Sequence, residues 1–248
     1  MQYIQDQNLF QFTIIGPETD ILDRLHYHAL FAMLQEAACL DAEHHGFGSH
    51  DMDTFEACWL LLRMKVHMDK VPKWQDRIYI RTWSRGFQKV LFNRDFDIFD
   101  ENMERIGWAT SVWVIAHHGD HRPVRPQSIP GMEIYATVVE SDRKVEKIAP
   151  LSKEEEDLAP ALCKYADFSE IDRNMHVNNT RYIAWSEDGY YVDLSYETPI
   201  REVSINYSSE VKQGEEVRIF RKSFGDYVQI DGYEAESGRH VFSTILRS

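Results

Sequence analysis

The chain has 248 residues, of which 43% are hydrophobic and 12% aromatic, and its formal net charge is −14. This composition is rich enough for a sizeable core and excludes a disordered chain, while the negative charge argues against a general nucleic-acid binder. The sequence has no run of about 18 apolar residues and no basic region before an apolar one at its start, so we expect neither a membrane span nor a secretion signal.

The first half of the chain has the pattern of a helix surrounded by strands. Residues 9–15 alternate as a strand does, and residues 25–42 carry a broad apolar stripe at helical spacing. Strand-like runs separated by turn residues then follow, the last two as a hairpin. These runs are 59–64, 77–84, 90–99 and 106–116.

The second half repeats this order of elements after a segment of different character. Residues 119–165 are rich in proline and charge, including the run at 153–157, and are typical of a crossing segment. We then predict a helix over 177–194 and four further strands, at 202–208, 215–222, 227–235 and 240–247. The economical interpretation is an α+β protein of two similar units. The predicted divisions are an N-terminal unit over 1–125, a crossing linker over 126–165 and a C-terminal unit over 166–248.

The motif with the strongest chemical signal is Phe168–Trp185, where Asp172, Asn174 and His176 stand at alternate positions. Alternate side chains of an extended segment point the same way, and a helix with free N–H groups is predicted to begin directly afterwards. An acid, an amide and an imidazole beside a helix start suit acyl transfer. The competing interpretation is that Asp172 and the following asparagines only cap the helix, with His176 incidental.

The run Asp172-x-Asn174-x-His176-Val-Asn-Asn-x-Arg-Tyr182 resembles the active-site motif of acyl-acyl-carrier-protein (acyl-ACP) thioesterases of plants and bacteria. A second segment, from Ile205 to Val211, is similar to the part of that family in which a glutamate is followed by a cysteine. Glu210 is present here, but Val211 stands in place of the cysteine. The resemblance implies a tandem hot dog fold with one continuous sheet, and Asp172, Asn174, His176 and Glu210 as the catalytic residues.

The implied function is hydrolysis of fatty acyl-ACP to free fatty acid and holo-carrier protein. His176 has an unperturbed pKa near neutrality and suits a general base, although the sequence leaves open which carboxylate acts and whether an acyl-enzyme forms. Because valine cannot attack a thioester, we favour direct attack by water. An acyl-CoA thioesterase and a non-catalytic acyl-binding module remain the alternatives, and a hydratase of related fold fits the motif order less well.

The two helix starts, when Asp23 is laid on Asp172, place Leu25 opposite Asn174 and Tyr27 opposite His176. This alignment predicts one active site per chain and leaves the first unit free to accommodate an acyl tail. Chain-length preference cannot be deduced from the sequence. The sequence also leaves a homodimer open, although two fused units already supply what single-unit relatives obtain by dimerising.

An acyl carrier protein is acidic, so its docking to this negatively charged chain needs a local basic surface. Residues 61–94 carry nine basic side chains against two acids. We expect carrier docking at four of these cations, Arg77, Arg81, Arg85 and Lys89.

The three cysteines (Cys39, Cys58 and Cys163) form no disulfide or zinc pattern, which favours a reducing cytoplasm. The histidines at 44–45, 50, 117–118 and 121 lack the spacing of a metal site, so we expect no metal and no cofactor.

Overall fold

The structure is a computed structural model that describes residues 2–4, 8–152 and 159–248. The helices and strands of these ranges are, in chain order, β1 (Gln2–Ile4), β2 (Leu9–Thr13), α1 (Tyr27–His44), α2 (Ser49–Asp53), β3 (Ala57–Met68), β4 (Arg77–Gln88), β5 (Leu91–Phe99), β6 (Arg105–His117), β7 (Leu162–Tyr165), α3 (Asn179–Tyr190), β8 (Glu202–Tyr207), β9 (Glu216–Phe224), β10 (Tyr227–Glu234) and β11 (His240–Arg247). The charge run at 153–157 lies outside the described residues. No helix in the described part of the chain is long and apolar enough to cross a membrane.

The described strands form one antiparallel sheet in the order β1-β2-β4-β5-β6-β3-β8-β11-β10-β9-β7. The order is symmetrical about strands β3 and β8, which pair with each other at the centre of the sheet. In this pairing, Arg63 lies opposite Asn206. On either side, β6 corresponds to β11, β5 to β10, β4 to β9 and β2 to β7. One sheet built from two helix-containing halves is a double hot dog, so the predicted fold is confirmed. Joining the halves edge to edge also removes two exposed sheet edges.

The main core lies between the sheet and helices α1 and α3, which contact each other on one face of it. Leu34 of α1 and Ile183 of α3 are fully buried there, against strand residues such as Ile80 and Ile230. The apolar stripe of α1 explains this burial, because three or four apolar residues in every two turns must face a partner surface. The two helices are thereby fixed relative to both halves of the sheet.

A segment between the halves runs across the opposite face of the sheet. Arg143 donates to the carbonyl of Phe96 at 2.9 Å and pairs with Asp97 at 2.6 Å, both on β5. Farther along, the N–H of Leu151 donates to Asp231 of β10 at 2.7 Å. Because β5 and β10 lie in different halves, the segment crosses from one half to the other. The exact unit boundaries stay a prediction.

The long strands and helices agree with the sequence patterns to within a few residues. Helix α1 begins at Tyr27 and α3 at Asn179, each two residues after the predicted start. The sequence analysis missed the short elements α2 and β7. Strand β7 has four residues and lies at the sheet edge against β9, so its local signal is weak.

Candidate active site

The motif Asp172–His176 forms a tight turn, which corrects the prediction of an extended run with three side chains on one face. The N–H of Asp172 donates to the carbonyl of His176 at 2.9 Å, and the N–H of Met175 donates to the carbonyl of Asp172 at 3.0 Å. Oδ1 of Asp172 also accepts the N–H of Asn174 at 2.8 Å, which is an Asx turn. Met175 has φ 65° and completes the reversal. Asp172 therefore shapes the turn, while Asn174 is exposed.

His176 and Glu210 meet although they come from different parts of the second half. Glu210 lies three residues beyond the end of β8. Its Oε2 atom is 3.2 Å from Nε2 of His176, and the two side chains are 39% and 18% exposed, respectively. Nδ1 of His176 is buried and has no hydrogen-bond partner among the described residues. The exposed member of this pair is thus the carboxylate.

A second imidazole, that of His121, contacts the same carboxylate. Its Nδ1 atom lies 3.0 Å from Oε1 of Glu210, and its ring packs edge to face against the ring of His176 at 5.8 Å. The sequence pattern around His121 was interpreted only in terms of a metal ligand. Nothing in the local sequence indicates its contact with Glu210, because the two meet only through the pairing of the two sheet halves.

These side chains line a cavity of about 610 Å³. This size lies within the range of about 300–1,000 Å³ that is usual for small-molecule sites. Asp172, Asn174, His176 and Glu210 all line it, so the four predicted catalytic residues border one space. Much of the apolar lining comes from the first half and includes Ala42, Phe47, Met52, Trp59, Leu61 and Trp113.

Two contacts fix the backbone around these four residues. Arg239 donates to the carbonyl of Glu210 and pairs with Glu215 at 3.0 Å, which ties down the loop after β8. At the start of α3, the side chain of Asn178 accepts the N–H of Thr180 at 3.0 Å. Because this N-cap occupies the N–H group of Thr180, that group is not available to a substrate oxyanion.

Two of the three free cysteines also border the cavity, Cys39 on α1 and Cys58 on β3. Cys39 is open to the cavity, but desolvation by the surrounding protein raises the pKa of its thiol to about 11. Burial, followed by the charge of Glu210, raises the pKa of the Cys58 thiol. Both groups are therefore protonated thiols at neutral pH. Val211, at the position of the family's cysteine, is fully buried.

The first half contains a matching turn, which corrects the alignment of the two halves. The N–H of Asp20 donates to the carbonyl of Arg24 at 2.8 Å and the N–H of Asp23 to that of Asp20 at 3.0 Å, as in the turn at Asp172–His176. Asp23 also has a positive φ, 60°, as Met175 does. Asp20 therefore corresponds to Asp172. The residues that correspond to Asn174 and His176 are Leu22 and Arg24, instead of Leu25 and Tyr27.

A recess of about 970 Å³ lies beside this first-half turn, and it is larger than the cavity at His176. We favour the smaller cavity as the active site because its acid Glu210 is 39% exposed, whereas the recess acids Asp20 and Glu187 are 19% and 9% exposed and accept backbone N–H groups. Asp20 pairs with Arg24 at 2.6 Å. Glu187 of α3 accepts the N–H groups of Tyr27 and His28 at 2.8 and 3.1 Å.

His26, His28 and Glu187 have ligand atoms within 4.8 Å of one another, so their spacing would suit a metal ion. Their hydrogen bonds already account for the arrangement. Burial alone would raise the pKa of Glu187, but His26, His28 and the Tyr27 N–H together hold it at about 2. The bond to Glu187 raises the pKa of His26 in turn.

The four cations predicted to dock a carrier protein lie on β4 and the turn after it, and none of them lines the cavity. Arg77 is exposed and weakly paired with Glu101 at 3.5 Å, and Lys89 is exposed. Arg81 is half-buried, with its guanidinium 5.3 Å from the Phe99 ring. Arg85 is 12% exposed and pairs with Asp95 at 3.2 Å. Arg85 would have to break this internal contact to meet a partner, so its assignment to a docking surface is corrected.

The fold and the cavity together define a double hot dog protein with a carboxylate–imidazole site between its halves. Sequence models of the acyl-ACP thioesterase N-terminal and C-terminal domains match residues 8–131 and 152–240, respectively. These matches cover most of the chain. The chain therefore belongs to the acyl-ACP thioesterase family, as the motifs predicted.

Among its relatives, a chloroplastic palmitoyl-acyl carrier protein thioesterase of Arabidopsis thaliana is 30% identical over 177 residues, which are 66% of this chain and 41% of that protein. The oleoyl-acyl carrier protein thioesterase 2 of the same plant is 26% identical over 82% of this chain and 59% of its own length. The chain thus spans about half the length of the curated relatives it matches.

Two solved structures share the fold over nearly their whole length. An acyl-ACP thioesterase from Bacteroides thetaiotaomicron superposes with a TM-score of 0.85 at 24% identity, covering 96% of both chains. The 12:0-ACP thioesterase from Umbellularia californica has a TM-score of 0.82 at 21% identity, covering 99% of this chain and 98% of its own. At these identities the likeness establishes the fold.

Proposed function

We propose that this protein hydrolyses fatty acyl-ACP to a free fatty acid and holo-carrier protein. The observation that carries the proposal is that one cavity is lined both by Glu210 and His176 and by apolar, aromatic side chains. A thioester carbonyl beside Glu210 and His176 would place its acyl tail along Phe47, Trp59 and Trp113. Membership of the family and the names of its plant relatives support acyl-ACP as the substrate class.

Glu210 is proposed as the general base that removes a proton from the attacking water. A base must be reached by the water, and Glu210 is 39% exposed, whereas Nδ1 of His176 is buried. An ionised carboxylate has about four lone-pair positions, so Glu210 can face both a water and an imidazole. His176 then orients Glu210 through Nε2.

Asn174 is proposed to stabilise the oxyanion of the tetrahedral intermediate. Its side chain is exposed and lines the cavity, on a turn that Asp172 holds. An amide N–H aimed at the developing negative charge lowers the barrier only if the donor is already in place. Asp172 supplies that preorganisation through its bond to the Asn174 N–H.

The environment of the cysteines favours direct attack by water over an acyl-enzyme. A cysteine nucleophile reacts as the thiolate, and both cavity thiols have a raised pKa. Val211 offers no nucleophile, and its carbonyl is used by the N–H of Val177 at 2.9 Å. The proposed mechanism is therefore direct hydrolysis without an acyl-enzyme, metal or cofactor: water adds to the carbonyl as Glu210 takes its proton, and the tetrahedral intermediate then breaks its C–S bond and releases the carrier thiol, which takes the proton back from Glu210.

We further propose that an acidic carrier protein docks at the exposed cations Arg77 and Lys89, with Arg81 as a half-buried neighbour. The chain as a whole is negative, so a local basic surface is needed to steer an acidic partner. The symmetry of the sheet about β3 and β8 supports two units, as predicted for 1–125 and 166–248, and groups β7 at the end of the predicted linker with the second unit. A cytoplasmic location and the oligomeric state remain predictions from the sequence.

The test is the release of free thiol from matched panels of acyl-ACP and acyl-CoA substrates. Glu210→Gln removes the base and is expected to lower kcat by about 10²- to 10⁴-fold, and His176→Ala is expected to lower it as well. His117→Ala is the control, because His117 is exposed and does not line the cavity. Turnover of acyl-CoA but not of acyl-ACP would show that acyl-CoA is the substrate instead. Tight acyl binding without turnover of any substrate would make the protein an acyl-binding module.

A further inference from the structure

The topology of the sheet brings His121 to the active site from the opposite half of the molecule. Strands β6 and β8 both run antiparallel to β3, so β6 and β8 end at the same end of the sheet. His121 follows the end of β6 by four residues, and Glu210 follows the end of β8 by three. The meeting of these two side chains is therefore a consequence of the β3–β8 junction between the halves.

Glu210 lies between two imidazoles, one on each carboxylate oxygen. Nδ1 of His121 faces Oε1 at 3.0 Å, and Nε2 of His176 faces Oε2 at 3.2 Å. Both distances lie within ion-pair range, so a proton on either ring nitrogen would face a carboxylate oxygen. The two contacts restrain the rotation of the carboxylate about its terminal bond, which is otherwise broad and unconstrained.

The backbone holds His121 in an uncommon conformation that directs it to this contact. Its φ is 51°, in the left-handed region, where asparagine, aspartate and histidine are enriched among the residues other than glycine. The N–H of His121 donates to the carbonyl of His117 at 3.1 Å, and the N–H of His117 donates to that of Arg122 at 3.0 Å. The turn is thus closed on both sides, and its side chain is 29% exposed at the cavity.

We propose that His121 is a positioning residue for the reaction, which holds the Oε1 atom of Glu210 so that the carboxylate faces the attacking water. This inference rests on the proposed thioester hydrolysis and adds a residue from the first half to the site. It makes the active site a joint product of both halves. The contact is expected to tighten when substrate fills the cavity, as catalytic hydrogen bonds do.

The decisive variants are His121→Ala and His121→Asn, measured with acyl-ACP by free-thiol release. The amide nitrogen of asparagine occupies the same position as Nδ1 of histidine, and asparagine tolerates the left-handed backbone. We expect His121→Ala to lower kcat by about 10- to 100-fold with KM changed less than about twofold, since the imidazole that contacts the Oε1 atom of Glu210 is lost. His121→Asn is expected to recover kcat to within about threefold of native, and His117→Ala to match the native protein.

A double-mutant cycle separates positioning through Glu210 from a structural role. If His121 acts through Glu210, adding His121→Ala to Glu210→Gln changes the residual kcat by less than about twofold. An unchanged kcat in His121→Ala, no recovery in His121→Asn, or additive losses in the cycle would each overturn the assignment while leaving the hydrolysis intact. An inactive native protein would overturn the proposed function and the assignment together. If His121→Ala fails to fold, the comparison of His121→Asn with native carries the test, and a loss beyond tenfold contradicts the assignment.

Discussion

Glu187 caps a helix of the other half of the molecule, and its replacement is expected to destabilise the whole chain. Helix α1 begins after His26, whose side chain makes no capping hydrogen bond. The carboxylate of Glu187, on α3, instead accepts the N–H groups of Tyr27 and His28 at 2.8 and 3.1 Å. A negative charge at a helix N-terminus is also favoured by the helix dipole. Glu187 therefore joins the two helices of the core electrostatically.

The magnitude follows from the pKa of Glu187. Burial alone would raise this pKa from 4.5, yet the contacts with His26, His28 and the Tyr27 N–H lower it to about 2. At about 1.4 kcal/mol for each tenfold change, the ionised carboxylate stabilises the folded state by about 3 kcal/mol. Because the folded pKa is the lower one, this stabilisation is complete above about pH 4.5 and is lost as the pH falls towards 2. Glu187→Gln is thus expected to lower the free energy of unfolding at pH 7 by up to about 3 kcal/mol.

The assay is urea unfolding followed by circular dichroism at pH 7 and at pH 3. The difference between native protein and Glu187→Gln should shrink at the lower pH. Asp188→Asn is the matched control, because Asp188 is the next residue, is 55% exposed and makes a surface pair with Lys164. Its effect should stay within about 0.5 kcal/mol. Equal urea midpoints for Glu187→Gln and Asp188→Asn at pH 7 would refute the capping argument.

Two further predictions concern catalysis and docking. Cys39→Ser and Cys58→Ser are each expected to keep kcat within about twofold of native, since both thiols are protonated at neutral pH. A loss of thiol release above 100-fold in either variant would instead support a mechanism with a cysteine nucleophile. Arg77→Glu combined with Lys89→Glu is expected to raise KM for acyl-ACP about three- to tenfold and to leave kcat and acyl-CoA turnover unchanged. Unaltered KM for the carrier substrate would place the docking surface elsewhere.

Local periodicity was sufficient to predict the long elements of the fold. Strands β4 and β5 alternate buried and less buried residues over much of their length, whereas β6 is buried at most of its positions. The apolar residues of α1 recur at helical spacing, so they form a stripe on one side of that helix. The short strand β7 had no such pattern, because four residues hold too little periodicity. It exists through its pairing with β9, which lies more than fifty residues away.

The Asp172–His176 motif shows where a period-two pattern misleads. Alternating polar residues predicted an extended segment, but Asp172 bonds to the N–H two residues later and Met175 takes a left-handed conformation. An aspartate is itself a signal for an Asx turn, because its side chain can accept the N–H two residues later. This signal was in the sequence, and giving it more weight than the alternation would have predicted the turn.

The remaining members of the site depend on tertiary structure that no local pattern contains. Glu210 was found only through the family resemblance, and its contact with His121 needs the β3–β8 pairing. The same holds for Arg85, whose charge on an amphipathic strand predicted an outward-facing cation. Its partner Asp95 lies on β5, and the crossing segment covers both, since the Arg85 side chain also donates to the carbonyls of Val139 and Arg143 at 3.3 and 3.0 Å.

The corrected correspondence of the two halves explains why only one of them has the proposed chemistry. The two turns share backbone hydrogen bonds, including that of Leu25 to the Pro72 carbonyl at 2.8 Å and that of Val177 to the Val211 carbonyl at 2.9 Å. The matched pairs at the two sites are Asp20 with Asp172, Leu22 with Asn174, Arg24 with His176 and Val71 with Glu210. The acid that shapes the turn is kept, while the amide, the imidazole and the base are lost. In the first half the retained Asp20 pairs with Arg24, so that turn serves stability, and the first half instead contributes much of the apolar lining and His121 to the cavity of the second.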